Sequence, residues 1–186
     1  MKKIVLTGLS LILIISAAVA YTFLSRQPFM LSEVPDISLS IIDGRKINLK
    51  SAHEGPLLVT FLATTCPSCL KEMPHLIELY HELNKDGLEI VGIAMPYDPP
   101  NLVVALSKQK NIPYPIALDI DGSATRAFGD VSLTPTSFLI DQNGYIIQQE
   151  TGTIDIGKLR DKIKKLLNTS NTTISAIKNI TLYALV

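Results

Sequence analysis

Two cysteines, Cys66 and Cys69, are the residues of this sequence whose type and spacing best suit chemistry. A two-residue spacer closes only a very small loop, so a disulfide between them would restrict the unfolded chain little and would add little to the stability of the fold. The same spacing occurs in dithiols that exchange disulfides, and it also forms half of a zinc site. His53, His75 and His81 supply no second closely spaced ligand pair. Redox exchange is therefore favoured, with a structural disulfide and a metal site as alternatives.

The residues around the cysteines indicate a strand that leads directly into a helix. Pro56–Ala63 is a nearly unbroken apolar run of strand length, as expected for a central strand covered on both faces. After Cys69, apolar residues recur at helical spacing as far as Gly87, and Pro67 stands near the helix start, where a missing N–H costs nothing. Cys66 is therefore expected at the helix N-terminus, where free N–H groups and the macrodipole stabilise a thiolate and lower its pKa. Cys69, in the first turn, would be near enough to resolve a mixed disulfide.

The remaining pattern predicts an α/β domain. Leu88–Ala94 is a second buried run, so strand, helix and strand follow one another as in a parallel βαβ unit. Alternation on both sides of Asp43-Gly44 predicts a hairpin, and Asn143-Gly144 predicts another turn between two strands. The other predicted elements are helices at 101–110 and 123–128, a strand at 114–118 and an amphipathic last helix at 156–167.

The first two dozen residues differ in character from the rest. Lys2 and Lys3 precede an uncharged apolar stretch, 4–24, which is long enough to span a bilayer as a helix. Ala18-Val19-Ala20 also looks like a cleavage site, so release after cleavage near Ala20 is the alternative to a membrane anchor. In both cases we expect the domain to be exported. The chain then divides into an anchor or signal segment, 1–24, a linker, 25–34, a domain, 35–167, and a C-terminal tail of unknown role, 168–186.

Composition bounds the function further. Of the 186 residues, 47% are hydrophobic, which is enough for one domain with a core of ordinary size. Lys plus Arg equal Asp plus Glu at 17 each, and no basic run is interleaved with aromatic residues. Nucleic acid is therefore not expected as a partner.

Two segments together resemble the TlpA/ResA-type thioredoxin-like proteins. They are 59–74, which contains Cys66-Pro67-Ser68-Cys69, and 133–141, which contains Thr134-Pro135. The resemblance covers about 35–167. It implies a thioredoxin-like fold with a central mixed sheet flanked by helices, an N-terminal β-hairpin and a central insertion. It also implies an extracytoplasmic location, often with a membrane tether.

The same resemblance implies roles for single residues. Cys66, Cys69 and Glu72 would be catalytic, and Glu72, three residues after Cys69, could accept or return its proton. A solvated surface glutamate is the alternative for Glu72. Pro135 would be cis, and Thr134 would pair with an extended substrate segment.

The loop residues Thr65, Pro67 and Ser68 would surround the dithiol and tune its redox potential. This sequence departs from the pattern at two positions: Thr65 stands where many relatives carry a Trp, and Thr60 stands where thioredoxins carry a buried acid. Without that acid, Glu72 or water would have to accept the proton of the resolving thiol, Cys69.

The expected function is thiol-disulfide exchange with protein partners, with no small-molecule cofactor and no metal ion. The resemblance implies a reductant, for example in cytochrome c maturation, that receives electrons from a membrane thiol reductase. A copper-binding module or metallochaperone, with Cys66, Cys69 and a His as ligands, is the alternative. A peroxiredoxin would need a threonine and a proline where this chain has Ala63 and Val59. A pure interaction module would not need both cysteines.

Overall fold

The computed structural model describes residues 15–16 and 32–183 of the chain. They belong to two compact units, Met1–Met30 and Leu31–Val186. In the first unit only Ile15 and Ser16 are described, and both are helical. The rest of the predicted anchor or signal segment therefore lies outside the described residues. Among the described residues, no helix is both long enough and apolar enough to cross a membrane.

The second unit is built on one mixed sheet whose seven strands are ordered β2-β1-β5-β4-β3-β6-β7. The strands β3, β4 and β5 are parallel, and all other neighbours are antiparallel. The strands are β1 (Ser38–Ile41), β2 (Lys46–Asn48), β3 (Leu57–Leu62), β4 (Glu89–Ala94), β5 (Ile116–Leu118), β6 (Thr136–Ile140) and β7 (Ile146–Thr151). The predicted α/β fold, with its mixed sheet and N-terminal hairpin, is confirmed.

Four helices connect and follow these strands. They are α1 (Pro67–Leu83), α2 (Pro100–Lys110), α3 (Ser123–Ala127) and α4 (Ile156–Tyr183). Helix α1 packs against α4, and Glu82 of α1 forms ion pairs with Arg160 (2.9 Å) and Lys164 (2.7 Å) of α4. Helix α2 and strand β5 lie between β4 and α3 in the chain, and β5 lies between β4 and the N-terminal hairpin in the sheet.

The central strand β3 sets the position of the chemistry. All six of its residues are buried, as the apolar run predicts. Because β3, β4 and β5 are parallel and β6 runs opposite to β3, these three strands end, and β6 begins, at one edge of the sheet. We call it the upper edge. Cys66 follows β3 and Pro135 precedes β6, so the sheet brings these two residues, distant in sequence, to the same place.

Three phenylalanines fill the core beside β3. The ring centroids of Phe61 and Phe128 are 5.4 Å apart, those of Phe61 and Phe138 6.0 Å, and those of Phe128 and Phe138 4.8 Å. All three side chains are fully buried. Their tilted and edge-on contacts add to the stability that burial of apolar area provides.

The folded unit begins before Pro35, earlier than the sequence predicts. The N–H of Val34 donates a hydrogen bond to the carbonyl of Gly144 (2.7 Å), and the N–H of Ile146 donates to Ser32 (2.9 Å). Val34 is also buried. Residues 32–34 therefore pack against the β6–β7 hairpin and are not part of a free linker.

The last helix is longer than its amphipathic pattern indicates. The sequence predicts an end near Leu167, because the following Asn, Ser and Thr residues are weak helix formers. Helix α4 instead continues to Tyr183. Extension of an existing helix costs far less than its nucleation, so the preceding turns carry the helix into a polar segment. The domain boundary at Leu167 and the role of 168–186 stay predictions.

Candidate active site

Cys66 is the N-cap of helix α1, as the strand-to-helix pattern predicts. Its backbone is extended (φ −91°, ψ 107°), and Pro67 occupies the first helical position. The N–H of Cys69 donates a hydrogen bond to the sulfur of Cys66 over 3.2 Å. An N-cap side chain satisfies N–H groups of the first turn that have no partner within the helix. The sulfur therefore lies where the helix offers most stabilisation to negative charge.

Cys66 and Cys69 are joined by a disulfide. Both residues are buried, Cys66 with 8% of its surface exposed and Cys69 with 5%. The hydroxyl of Ser68 lies 3.3 Å from the sulfur of Cys66 and donates to it. Thr65 is exposed beside the disulfide. The structure thus brings together all the residues predicted for the active-site loop.

The loop before β6 faces the disulfide. The Thr134-Pro135 peptide bond is cis, as the family resemblance implies. The carbonyl oxygen of Thr134 lies 3.4 Å from the sulfur of Cys66. Because this sulfur is bonded to Cys69 and carries no proton, the approach is a contact with a disulfide sulfur. Thr134 therefore borders the sulfur of Cys66.

Glu72 is a buried residue, so the alternative of a solvated surface glutamate is wrong. It is only 2% exposed. Its Oε2 accepts a hydrogen bond from the N–H of Ile154 (3.2 Å), while its Oε1 is buried and has no hydrogen-bond partner among the described residues. Burial raises the pKa of Glu72, and the Ile154 N–H and the charge of His75 offset part of this effect.

Glu72 and Cys69 line the same small cavity, of about 10 Å³, on the inner side of the disulfide. Its other lining residues are Thr60, Leu62, Met73, Leu76, Tyr114 and Pro135. Burial raises the pKa of Tyr114, and the charge of Glu72 adds to this effect. The phenol therefore stays neutral. A cavity of this size has room for about one water molecule.

The position under the disulfide where thioredoxins carry an acid holds a neutral pair here. Thr60 on β3 lies opposite Ser137 on β6, and the hydroxyl of Ser137 donates to that of Thr60 over 2.9 Å. Both residues are buried. The hydrogen bond satisfies both side chains without a charge. Among the residues that the structure describes, Glu72 is the only one with a carboxyl group that lines the cavity with Cys69.

Asp98 is a site residue that the sequence did not reveal. Its carboxylate accepts two hydrogen bonds from Thr64, one from the backbone N–H (2.7 Å) and one from the hydroxyl (2.5 Å). Asp98 is buried and follows β4, while Thr64 precedes Cys66 by two residues. The sequence did offer one signal: Asp98 comes just after the buried strand β4. The carboxyl ends of neighbouring parallel strands meet at one edge of the sheet, so an acid there is expected near the residues that follow β3.

The copper-binding alternative needs a third ligand beside the cysteines. Within residues 15–16 and 32–183, no group of three or more His, Cys, Asp or Glu side chains is arranged to hold a metal ion. His75 lies on α1 beyond Glu72, in a surface groove that also includes Pro67 and Ser68.

A disulfide at the start of a helix, at the edge of a mixed sheet and facing a cis-proline loop defines a thioredoxin-like thiol-disulfide oxidoreductase. The redoxin family profile matches residues 32–167. The chain is 33% identical to the thiol-disulfide oxidoreductase ResA of Bacillus cereus over an alignment of 172 residues, which covers 89% of this chain and 98% of that protein.

Solved structures agree with this class. A thiol:disulfide interchange protein of the thioredoxin family from Chlorobium tepidum superposes with a TM-score of 0.67 at 27% identity, over 74% of this chain and 97% of the other. StoA from Bacillus subtilis superposes with a TM-score of 0.59 at 22% identity, over 68% and 98%, and supports the fold. The chain belongs to the redoxin family, and it is a thiol-disulfide oxidoreductase of the ResA type.

Proposed function

We propose that this chain reduces disulfides of protein partners outside the cytoplasm through the Cys66/Cys69 dithiol. The observation that carries the proposal is the position of Cys66. Its sulfur caps α1 and receives hydrogen bonds from the N–H of Cys69 and the hydroxyl of Ser68. A thiolate at this position is stabilised by the same groups, which makes Cys66 the attacking residue.

The exchange proceeds in two balanced steps. The Cys66 thiolate attacks one sulfur of the partner disulfide, a Cys66–partner bond forms, and the other partner sulfur leaves as a thiolate that takes up a proton. Cys69, deprotonated, then attacks Cys66, which restores the Cys66–Cys69 disulfide and releases the second partner thiolate. Two electrons pass to the partner, and the oxidised chain is that of the present structure. The reaction needs no small-molecule cofactor.

Glu72 is the proposed proton acceptor for Cys69. The two side chains line one cavity, and Glu72 is the carboxyl group there. Its raised pKa brings the proton affinity of the carboxylate closer to that of a thiol, which favours transfer between them. The unpartnered Oε1 is free to receive the proton directly or through one water molecule.

Thr134 and Pro135 are the proposed substrate-binding residues. The Thr134 carbonyl borders the Cys66 sulfur, so a partner segment that reaches this sulfur must pass along the loop. An extended segment can pair with exposed backbone in this position, as in recognition by strand addition. Main-chain pairing accepts many sequences, which suits an enzyme with protein substrates.

The proposed location and partners rest on the sequence and on the family. Lys2 and Lys3 before the apolar stretch 4–24 support export with the N-terminus in the cytoplasm and a membrane tether. A reductant in an oxidising compartment must be recharged, and a membrane thiol reductase would supply the electrons. Apocytochrome c before haem attachment is the proposed type of substrate.

The decisive experiment traps the partner. In the full chain, Cys69→Ser should accumulate a mixed disulfide through Cys66 when expressed in an exporting host, visible on non-reducing gels and identifiable by mass spectrometry. The matched variant Cys66→Ser should trap much less, because Cys69 lies on the inner side of the disulfide, where it lines the small cavity with Glu72. If Cys69→Ser captures no protein, the assigned order of attack is incorrect.

The redox potential of the dithiol decides whether the chain reduces partner disulfides or inserts them. A potential near or below about −270 mV, that of thioredoxin, supports a reductant, and one near about −120 mV indicates an oxidant that inserts disulfides. Titration of the full chain against dithiothreitol or glutathione buffers gives this value. If the chain forms no reversible disulfide and instead binds one copper ion per molecule, the metal-binding function is the correct one.

A further inference from the structure

Tyr114 is a buried tyrosine that lines two cavities of the domain. One is the cavity of about 10 Å³ that it shares with Cys69 and Glu72, here called the inner cavity. The other is a groove of about 420 Å³ that it shares with Tyr80 and Glu89. Only 4% of Tyr114 is exposed. The side chain therefore stands between the groove and the space on the inner side of the disulfide.

The ring of Tyr114 is held by its neighbours. It makes an edge-to-face contact with Tyr80 of α1, with the ring centroids 5.8 Å apart. It also lies against β4 at Gly92, where an added Cβ would stand 3.7 Å from the ring carbon Cε2. Pro113 and Pro115 flank it in the chain and restrict the backbone on both sides. The position of the phenol hydroxyl is thereby fixed before the reaction begins.

The hydroxyl of Tyr114 has no hydrogen-bond partner in the described part of the chain. A buried tyrosine normally finds one. Glu72, which lines the same inner cavity, has a buried oxygen, Oε1, that also lacks a partner. A donor and an acceptor, both unpaired, thus belong to residues that border one small space.

The inner cavity meets the requirements of a site for one water molecule. Its volume of about 10 Å³ is that of roughly one water, and such a water needs two to four polar partners. The lining residues supply them: the carboxyl group of Glu72, the phenol of Tyr114 and the hydroxyl of Thr60. The sulfur of Cys69 borders the same space. A water molecule here would join the phenol to the carboxylate and would contact the resolving cysteine.

We propose that Tyr114 is a positioning residue for the resolving step, acting on Glu72 through one water molecule in the inner cavity. The Cys69 thiol and the phenol donate to this water, and the water donates to Oε1. On proton transfer the S–H bond breaks and an O–H bond forms at Glu72. The Cys69 thiolate then attacks the sulfur of Cys66, and the partner thiolate leaves. The inference rests on the proposed exchange and adds a residue to it.

The phenol can only donate in this arrangement. Burial raises the pKa of Tyr114, and the charge of Glu72 adds to this effect, so the hydroxyl keeps its proton throughout the working range of pH. A donated hydrogen bond stabilises the charged form of the carboxylate, and a bridging water transmits nearly the same benefit. Tyr114 therefore keeps more of Glu72 in the form that accepts a proton.

Other titratable groups face Glu72 or Tyr114 from three elements. They are Cys69, Lys71, His75 and Tyr80 on α1, Asp43 and Arg45 in the β1–β2 turn, and Glu89 on β4. Burial raises the pKa of Glu72, and the Ile154 N–H and the charge of His75 lower it again in part. Of the described residues, Tyr114 is the only titratable one outside α1 that lines the inner cavity.

The test follows both steps of dithiol oxidation in the reduced full chain. Stopped-flow mixing with dithiobis(nitrobenzoate) releases one thionitrobenzoate when Cys66 attacks and a second when Cys69 resolves. The first rate rises with reagent concentration and the second does not, which separates them. In Tyr114→Phe, which lacks only the hydroxyl oxygen, we expect the pH profile of resolution to move to higher pH by about one unit, a tenfold slower resolution on its acid side. The rate of attack by Cys66 should not change.

Two controls make the result specific. Tyr80→Phe removes the same atom from the ring that contacts Tyr114 but does not line the inner cavity, so its profile should match the wild type. In a Glu72→Gln background, Tyr114→Phe should cause no further shift. A wild-type profile for Tyr114→Phe, equal shifts in both tyrosine variants, or a shift that persists without Glu72 overturns the role of Tyr114. A wild-type chain that releases only one thionitrobenzoate per molecule overturns the proposed exchange itself, because Cys69 then does not resolve.

Discussion

The carboxylate of Glu72 accepts a hydrogen bond from the backbone N–H of Ile154 over 3.2 Å, although 82 residues separate the two in sequence. This bond fixes a residue of the dithiol helix to the loop between β7 and α4. It satisfies one carboxyl oxygen and leaves the other, Oε1, buried without a partner in the described part of the chain. Burial with one carboxyl oxygen unpaired disfavours the charged form of Glu72 and raises its pKa.

Glu72 should make folding stability depend on pH. The folded chain binds the Glu72 proton more tightly than the unfolded chain, because burial raises the pKa above its ordinary value of 4.5. The stabilisation is complete below that value and is lost as the pH rises through the higher folded pKa. Glu72→Gln removes this loss, so at pH 8 the variant should be more stable than the wild type by about 1 kcal/mol.

Urea unfolding of the oxidised chain at pH 4, 6 and 8 measures the effect. Glutamine keeps an acceptor for the Ile154 N–H, so the substitution changes the charge more than the contacts. Glu78→Gln, on the exposed face of the same helix, serves as the control and should leave the pH dependence as in the wild type. Parallel stability curves for the wild type and Glu72→Gln would contradict a buried titrating carboxyl group.

Ser68→Ala should make Cys66 less reactive at low pH. In the reduced chain the Ser68 hydroxyl can donate to the Cys66 thiolate, as it does to the sulfur in the disulfide. Loss of this hydrogen bond lowers the thiolate fraction, and we expect about threefold slower alkylation by iodoacetamide at pH 6, since such a bond contributes about 0.5–1 kcal/mol. At pH 10 the two rates should converge.

The matched control for this variant is Thr65→Ala. It removes a hydroxyl from the same loop, but Thr65 is exposed, and no hydrogen bond joins it to the Cys66 sulfur. Its alkylation rate at pH 6 should fall less than that of Ser68→Ala. Equal rates for wild type and Ser68→Ala at pH 6 would mean that the Cys69 N–H alone stabilises the thiolate.

How much of this structure the sequence predicts depends on how far apart in the chain the interacting residues lie. The strand before Cys66, the helix after it and the Asn143-Gly144 turn follow from local periodicity and turn chemistry, and the structure contains them. The motif around Cys66 and Thr134-Pro135 identifies the family, and with it the cis bond. These features are encoded within a few neighbouring residues.

The features that the sequence does not reveal depend on contacts between distant segments. Helical spacing places Glu72 near Cys69, but its burial involves segments distant in sequence, among them the loop at Ile154 and Tyr114. Asp98 acquires its role because β4 ends beside β3. Its place just past a buried strand indicates this edge of the sheet, but not that Thr64 is its partner. The polar segment after Leu167 is helical because it extends a helix that packing already stabilises.

The hydroxyl pair under the disulfide should show energetic coupling. Ser137 donates to Thr60 over 2.9 Å, and both are buried. Thr60→Val and Ser137→Ala should each cost about 1–2 kcal/mol, because each leaves the other hydroxyl unpaired. The double variant removes both groups and should cost about 1 kcal/mol less than the sum of the single variants. Urea unfolding of all four oxidised chains gives the coupling energy. Strictly additive costs would show that the hydrogen bond contributes nothing to stability.

Asp98→Ala should be the most destabilising of these changes. The carboxylate accepts hydrogen bonds from the Thr64 N–H and hydroxyl, and its removal leaves a half-buried backbone donor unpaired just before Cys66. We expect a loss of about 2–3 kcal/mol, the usual cost of removing hydrogen bonds to a charged group. Asp98→Asn keeps one acceptor for the Thr64 N–H and should cost less. Asp161→Ala, at an exposed position on α4, should stay within about 0.5 kcal/mol of the wild type. If Asp98→Ala unfolds in urea at the same midpoint as Asp161→Ala, the two bonds to Thr64 do not hold the active-site loop.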